Sequence, residues 1–152
     1  MATGAGDEVL VQAVAVASTV ALVVTVVFLH YEALAWIGRA LKTRALHHRV
    51  KILVLALALI AVHVLEVGVF GAGYLVLGSI PAFGAIGPGR PPGFLDLMYF
   101  SATTYATVGY GDLVPTGALR LLCGMEALSG FILITWSASF MFLEMQRYWG
   151  RD

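Results

Sequence analysis

The stretch TTYATVGYGD, residues 103–112, carries two glycines on either side of a tyrosine in a chain that is otherwise mostly aliphatic. In an ordinary strand successive carbonyl groups point in opposite directions. Aiming several of them the same way requires dihedrals that alternate between right-handed and left-handed regions, and glycine enters the left-handed region most cheaply. Because Gly109 and Gly111 occupy alternate positions, we expect the carbonyls of this segment to face one side, with the intervening side chains packed behind it.

The residues before this stretch predict a short helix that enters the membrane and returns. The segment Asp96–Ala106 is apolar or hydroxylated, begins with an aspartate suited to an N-cap, and is about three turns long, too short to cross a bilayer. Residues 78–93 are rich in glycine and proline, which predicts an exposed loop without regular structure. Non-helical backbone at membrane depth is tolerated where it is buried in protein or lines a water-filled path.

The composition of the whole chain indicates an integral membrane protein. Of 152 residues, 60% are hydrophobic and 12% charged, with a net charge of zero. Three segments are long enough to span a bilayer at about 20 apolar residues each: Val9–Leu29, about 52–77 and about 119–142. We therefore predict an all-α membrane protein with three transmembrane helices and a re-entrant helix, divided into an N-terminal helix with its link (1–51) and a second domain (52–152).

Basic residues predict the orientation of the spans. The link between the first two spans holds five of them: Arg39, Lys42, Arg44, Arg49 and Lys51. Arg147 and Arg151 follow the third span, whereas the loop after the second span offers only Arg90. Because positive charge is retained in the cytoplasm, we expect the N-terminus outside and the C-terminus inside, in a cell membrane and most simply a bacterial inner membrane.

The basic link itself permits two interpretations. Leu34, Ile37, Leu41 and Leu46 recur near helical spacing, and Trp36 suits the headgroup zone. Part of the link could therefore lie along the inner membrane surface as an interfacial helix. A simple helical extension of the first span is an equal alternative.

The segment TVGYGD has a chemical consequence if several copies meet. Four such strands around an axis would stack rings of carbonyl oxygens that replace the water shell of a cation of fitting size. The helix before each strand would aim the negative end of its dipole at the ion's entry. One chain supplies one strand, so the ring requires a homotetramer.

These residues carry a resemblance. TVGYGD, preceded by YFSATTYA and followed by LVPTG, resembles the pore signature of the potassium channel superfamily. The order of outer helix, pore loop and inner helix over about residues 52–149 is similar to the two-helix pore module of bacterial potassium channels. The resemblance implies passive K+ conduction, with K+ and the lipid bilayer as partners, three further copies of the chain, and no cofactor; nothing in the composition indicates nucleic acid.

The resemblance also implies roles for individual residues. The K+ sites would be the carbonyls of Thr107, Val108, Gly109 and Tyr110 with the Thr107 hydroxyl, and Gly111 completes this selectivity filter. Asp112 would sit at the outer mouth of the pore. Tyr99, where many members carry a tryptophan, would approach Asp112 through its hydroxyl.

On the inner helix the resemblance points to three positions. Gly130 falls where the family's hinge glycine lies, if the segment between the filter and the inner helix is taken to be one residue shorter here than in the family. Phe131 and Ile134 would then face the central cavity. If the helix bends at Gly130, an alanine there should lower open probability without altering ion preference.

Three ionisable residues lie inside predicted spans, where such groups are costly: His63, Glu66 and Glu126. We expect both acids at the level of the re-entrant helix. Either they share a proton, or Glu126 accepts hydrogen bonds from hydroxyls such as Thr103 or Tyr105 while His63 balances Glu66. A structural role is at least as plausible for them as a gating role.

Two other function classes remain to be weighed. A weakly selective cation channel would share the fold, but its filter usually departs from Gly-Tyr-Gly. An intramembrane enzyme using His63, Glu66 and Glu126 would lack both a nucleophile pair and a metal motif such as HExxH, and it leaves TVGYGD unexplained.

Overall fold

The computed structural model describes residues 4–43, 47–87 and 91–149. They form four α-helices and one short 3-10 turn: α1 (Ala5–Thr43), α2 (His48–Gly78), the turn (Pro81–Phe83), α3 (Phe94–Tyr105) and α4 (Leu119–Trp149). In these ranges β-pairing is limited to an isolated bridge between Ile86 and Pro115. α1, α2 and α4 are each long and apolar enough to cross a membrane, so the protein has the all-α membrane fold that was predicted.

The first helix is longer than the predicted span and decides between the two interpretations of the link. α1 continues unbroken through Thr43. Its stripe of Leu34, Ile37 and Leu41 is buried against α2, whereas Trp36 is exposed. An interfacial helix would turn this stripe toward lipid, so the helical extension is correct as far as residue 43. Four residues lie outside the described ranges: Arg44, Arg90 and Arg151, which were used to predict the orientation, and Leu46, which was part of the predicted apolar stripe.

The loop between α2 and α3 is not the wholly exposed, irregular segment that its composition predicted. It contains the 3-10 turn, and Phe83 and Ile86 are buried. The N–H of Thr116, just before α4, donates to the carbonyl of Ala85 over 2.8 Å. The prediction was therefore wrong for the regular turn at 81–83 and for the exposure of Phe83 and Ile86, because this loop finds backbone and apolar partners in a segment distant along the chain, whereas Pro81, Ala82 and Ala85 are exposed as expected.

The short helix α3 begins earlier than expected. It starts at Phe94 with Gly93 as its N-cap, and the Asp96 carboxylate accepts the Gly93 N–H over 2.8 Å. Asp96 therefore satisfies a free amide from inside the first turn rather than as the N-cap itself. With 12 residues, α3 is about 18 Å long and cannot cross a bilayer.

The core lies where α3 packs between α2 and α4. One apolar cluster joins the three helices, and α1 contributes to it; its members include Val26, Phe70, Tyr74, Phe100, Tyr105 and Leu122. The rings of Tyr74 and Phe100 meet edge to face with centroids 5.0 Å apart. This packing fixes the C-terminal end of α3, and with it the start of TVGYGD, against two spanning helices.

Candidate functional site

The backbone of residues 107–111 has the predicted alternation and extends it by one position. φ is positive at Thr107 (59°), Gly109 (50°) and Gly111 (81°), whereas the two residues between them keep negative φ. The glycines were expected in this region. Thr107 was not, because a β-branched residue adopts it rarely and with strain.

Two amides of this segment point back at α3. The N–H groups of Val108 and Gly109 both donate to the Thr103 carbonyl, over 2.8 and 3.1 Å. In a trans, planar peptide the carbonyl points opposite to the N–H, and no cis peptide occurs among the described residues. The carbonyls of Thr107 and Val108 therefore both point away from α3, toward the same side.

The outer end of the segment is tied to α3 by side chains. The rings of Tyr99 and Tyr110 are nearly parallel, at 3° with centroids 6.3 Å apart. Desolvation and the nearby Asp112 carboxylate raise the pKa of Tyr99. Tyr110 and Val108 are 71% and 54% exposed in the single chain, so α3 alone does not cover them.

Gly130 lies against the end of α3. A Cβ added there would be 2.2 Å from the Tyr105 carbonyl oxygen. This close approach requires glycine whether or not the helix bends, and α4 runs unbroken through this position. Phe131 and Ile134, which follow Gly130, are 61% and 39% exposed in the single chain. Both are therefore available to line a cavity.

Glu126 of α4 is fully buried and accepts two hydroxyl groups. The Tyr74 hydroxyl of α2 donates to Oε2 over 2.6 Å, and the Ser101 hydroxyl of α3 donates to Oε1. The expectation that a hydroxyl of the short helix binds Glu126 is confirmed, but the two residues named for it were wrong. Thr103 bonds a carbonyl of its own helix, and Tyr105 faces a different acid.

Glu66 of α2 is the centre of a second buried cluster. Its Oε1 lies 2.7 Å from His30 Nδ1, its Oε2 lies 2.9 Å from His63 Nδ1, and the Tyr105 hydroxyl donates to Oε2. His63 balances Glu66 as expected. The alternative of a proton shared between Glu66 and Glu126 was wrong, because α3 presents a separate hydroxyl to each acid.

Sequence reasoning missed three polar partners. His30 directly follows Leu29, where the first span was expected to end, so it looked like a boundary residue. Because α1 continues, His30 is instead fully buried. The heptad-like leucines beyond it were the available signal. Tyr74 and Ser101 gave none, since a lone hydroxyl in an apolar helix has no sequence signature.

Comparison with known proteins identifies a family. The family described as "Ion channel" matches residues 52–147, from α2 through α4. The inward rectifier potassium channel Kirbac3.1 of Paramagnetospirillum magnetotacticum is 37% identical over 79 residues, which cover 51% of this chain and 25% of that protein. Two-pore potassium channel 1 of Arabidopsis thaliana is 39% identical over 69 residues, covering 43% of this chain and 19% of that protein. The matches thus span a quarter or less of each relative's length.

The matched family also decides between function classes. It and both relatives are ion channels, so the intramembrane enzyme was the wrong alternative. Channels of this kind use no cofactor, and K+ is the ion that permeates them. From the family match over more than half of its length, this chain belongs to the ion channel family and, within it, to the potassium channel superfamily.

Proposed function

We propose that this protein is a potassium-selective channel that conducts K+ passively through a homotetrameric pore. One chain supplies one filter strand, and a ring of carbonyls around an axis needs four. Both relatives are named as potassium channels, which supports K+ as the permeant ion.

The observation that carries the proposal is the direction of the filter carbonyls. Val108 and Gly109 donate their N–H groups to one carbonyl of α3, which leaves the carbonyls of Thr107 and Val108 free on the opposite face. Left-handed φ at Gly109 and Gly111 continues the same pattern outward. The proposed K+ sites are therefore the carbonyls of residues 107–110 with the Thr107 hydroxyl.

The surroundings of the filter are assigned on the same basis. Asp112, whose carboxylate acts on the Tyr99 hydroxyl, marks the outer mouth, and the carbonyl end of α3 faces the cavity with its negative dipole. Phe131 and Ile134 line that cavity below the filter. The exposed faces of Val108 and Tyr110 would be covered by neighbouring subunits.

The orientation of the spans belongs to the proposal as well. Arg39, Lys42, Arg49 and Lys51 lie at the ends of α1 and α2 that meet, and Arg147 lies at the end of α4. These ends would be cytoplasmic, with the loop before α3 and the filter mouth outside. The membrane would be the cell membrane, in a bacterium its inner membrane.

Selective flux tests the proposal directly. Purified protein in liposomes should pass K+ and reject Na+. Gly109→Ala should abolish this preference, because an L side chain in the left-handed region costs about 1–2 kcal/mol in every subunit, and Gly109 has φ of 50° with no atom within 4 Å of an added Cβ. The effect would thus be conformational rather than steric.

Gly6→Ala is the matched control, because Gly6 also has open space for a Cβ but lies in α1 without positive φ. It should behave like the parent. A Gly109→Ala protein that still rejected Na+ would overturn the filter assignment. A parent that passed both ions equally would make the protein a weakly selective cation channel.

A further inference from the structure

A compact group of polar side chains, none of them from the proposed filter residues 107–111, lies where three helices meet. His30 comes from α1, and His63 and Glu66 come from α2. Each of these three residues has one nitrogen or oxygen atom able to bind a metal ion, and these three atoms all lie within 4.8 Å of one another. The Tyr105 hydroxyl of α3 lies 3.1 Å from His63 Nδ1 and also contacts Glu66. Two nitrogens and two oxygens therefore converge on one point.

Charge balance does not require so many partners. Glu66 and His30 are fully buried in the spanning region, and the His63 side chain is 21% exposed. A buried carboxylate is costly unless it is paired. One protonated imidazole suffices to pair one carboxylate, so the second histidine exceeds what an ion pair needs.

The donor set has the composition and spacing of a transition-metal site. Zinc binds imidazole nitrogen and carboxylate oxygen at about 2.0–2.2 Å in a tetrahedron, which separates ligand atoms by about 3.3 Å. Here Nδ1 of His30 and of His63 lie 2.7 and 2.9 Å from the Glu66 oxygens. A small outward movement of the side chains therefore accommodates an ion. Mg2+ and Ca2+ prefer all-oxygen sites, so two imidazoles favour a softer ion.

One ligand also has the outer hydrogen bond that metal-binding histidines usually make. His30 Nε2 lies 3.5 Å from Ser137 Oγ of α4. When Nδ1 binds a metal, the proton of the neutral ring must sit on Nε2, where it needs an acceptor. Ser137 Oγ is within reach to accept that proton, which would hold the imidazole in the required tautomer.

We propose that His30, His63 and Glu66 form a structural site for a divalent transition-metal ion of the zinc type, with the Tyr105 hydroxyl or a water as fourth ligand. The ion joins α1 and α2 to the last residue of α3, two positions before the filter begins. This gives α1, which lies outside the matched family region, a specific attachment to the pore. The site stands independently of ion conduction.

Metal binding to the full-length protein tests the site. The protein is purified without a polyhistidine tag, stripped with a chelator and titrated with Zn2+ by calorimetry. We expect one Zn2+ per chain and a higher melting temperature with Zn2+ than without it. Co2+ in place of Zn2+ should give the intense visible absorption of a four-coordinate site. Absence of saturable binding by the parent would overturn the proposal.

Three variants separate ligation from hydrogen bonding. His30→Gln still offers Glu66 a hydrogen bond but removes a ligand, so Zn2+ affinity should fall at least about a hundredfold. His63→Ala, at the more exposed ligand, should do the same. His47→Ala, at an exposed histidine between α1 and α2, is the matched control and should keep parental affinity. Equal losses in all three variants, or none in the first two, would reject the site.

Discussion

At the scale of single residues, the backbone geometry near the proposed filter depends on glycines, which have no Cβ atom. Gly109 and Gly111 permit left-handed φ, and Gly130 permits contact with the end of α3. Thr107 also adopts a left-handed φ although it is not glycine. Its neighbours must therefore hold this strained conformation in place. In the proposed pore, this conformation would place the Thr107 hydroxyl as an additional oxygen at the inner end of the filter, which would give a reason for the strain.

Gly130→Ala should change both stability and ion selectivity. The sequence argument expected a gating effect alone, from a stiffened hinge. In the structure the added Cβ would lie 2.2 Å from the Tyr105 carbonyl, so α3 must move, at a cost of about 1–3 kcal/mol per chain. Tyr105 is two residues from the filter, so the K+ over Na+ flux ratio should fall together with the melting temperature.

Gly124→Ala is the control for this variant, because it lies in the same helix with open space for a Cβ. Alanine should be neutral or slightly stabilising there. If Gly130→Ala kept parental stability and selectivity and lowered only open probability, the hinge would be the sole role of Gly130.

At the scale of elements, α3 is held on both sides by buried acids. Ser101 bonds Glu126 of α4, and Tyr105, one turn later, bonds Glu66 of α2. α3 packs between α2 and α4 through apolar side chains, and these two hydrogen bonds add directional contacts that help to fix its rotation and depth. The direction of the Thr103 carbonyl, and hence of the filter amides, follows from that rotation.

Glu126→Gln and Glu126→Ala should therefore differ in their effects on assembly and on the pH dependence of K+ flux. Glutamine keeps the shape and can pair with both hydroxyls, because its carbonyl oxygen accepts from Tyr74 while its NH2 donates to Ser101, whose hydroxyl can donate to the Val67 carbonyl. The assembly should therefore survive, while the pH dependence of K+ flux should shift because a titrating group is lost. Alanine leaves the buried Tyr74 hydroxyl unpaired and should cost about 1–3 kcal/mol, which a lower melting temperature and weaker assembly would report. Coincident pH profiles for parent and Glu126→Gln would leave only the structural role.

At the scale of the whole molecule, α1 is attached to the pore module along its length. Its apolar stripe packs on α2 and α4, and His30 reaches Glu66 in the interior. The family match begins only at residue 52, so α1 lies outside the matched region. It has no ladder of arginines that could move in an electric field, and its contacts are those of a supporting helix.

The orientation of the molecule can be tested with single cysteines. In a Cys123→Ser background, Ser79→Cys at the outer end of α2 should react with a membrane-impermeant maleimide on intact cells. Thr43→Cys, at the C-terminal end of α1, should react only after permeabilisation. Both sites are exposed in the structure, so accessibility depends on the side of the membrane. The reverse pattern of labelling would contradict the positive-inside argument.

The sequence by itself determined the periodic and local features of this protein. Three apolar runs predicted the spans, and two glycines at alternate positions predicted the left-handed backbone, because hydrophobic length and the absence of a Cβ act within a few residues. The tertiary structure alone decided which hydroxyl meets which acid, that His30 is buried, that Phe83 and Ile86 of the loop before α3 are buried, and that Thr107 joins the alternation. Each of these depends on contacts between residues far apart in the chain, where the position of α3 between α2 and α4 selects the partner.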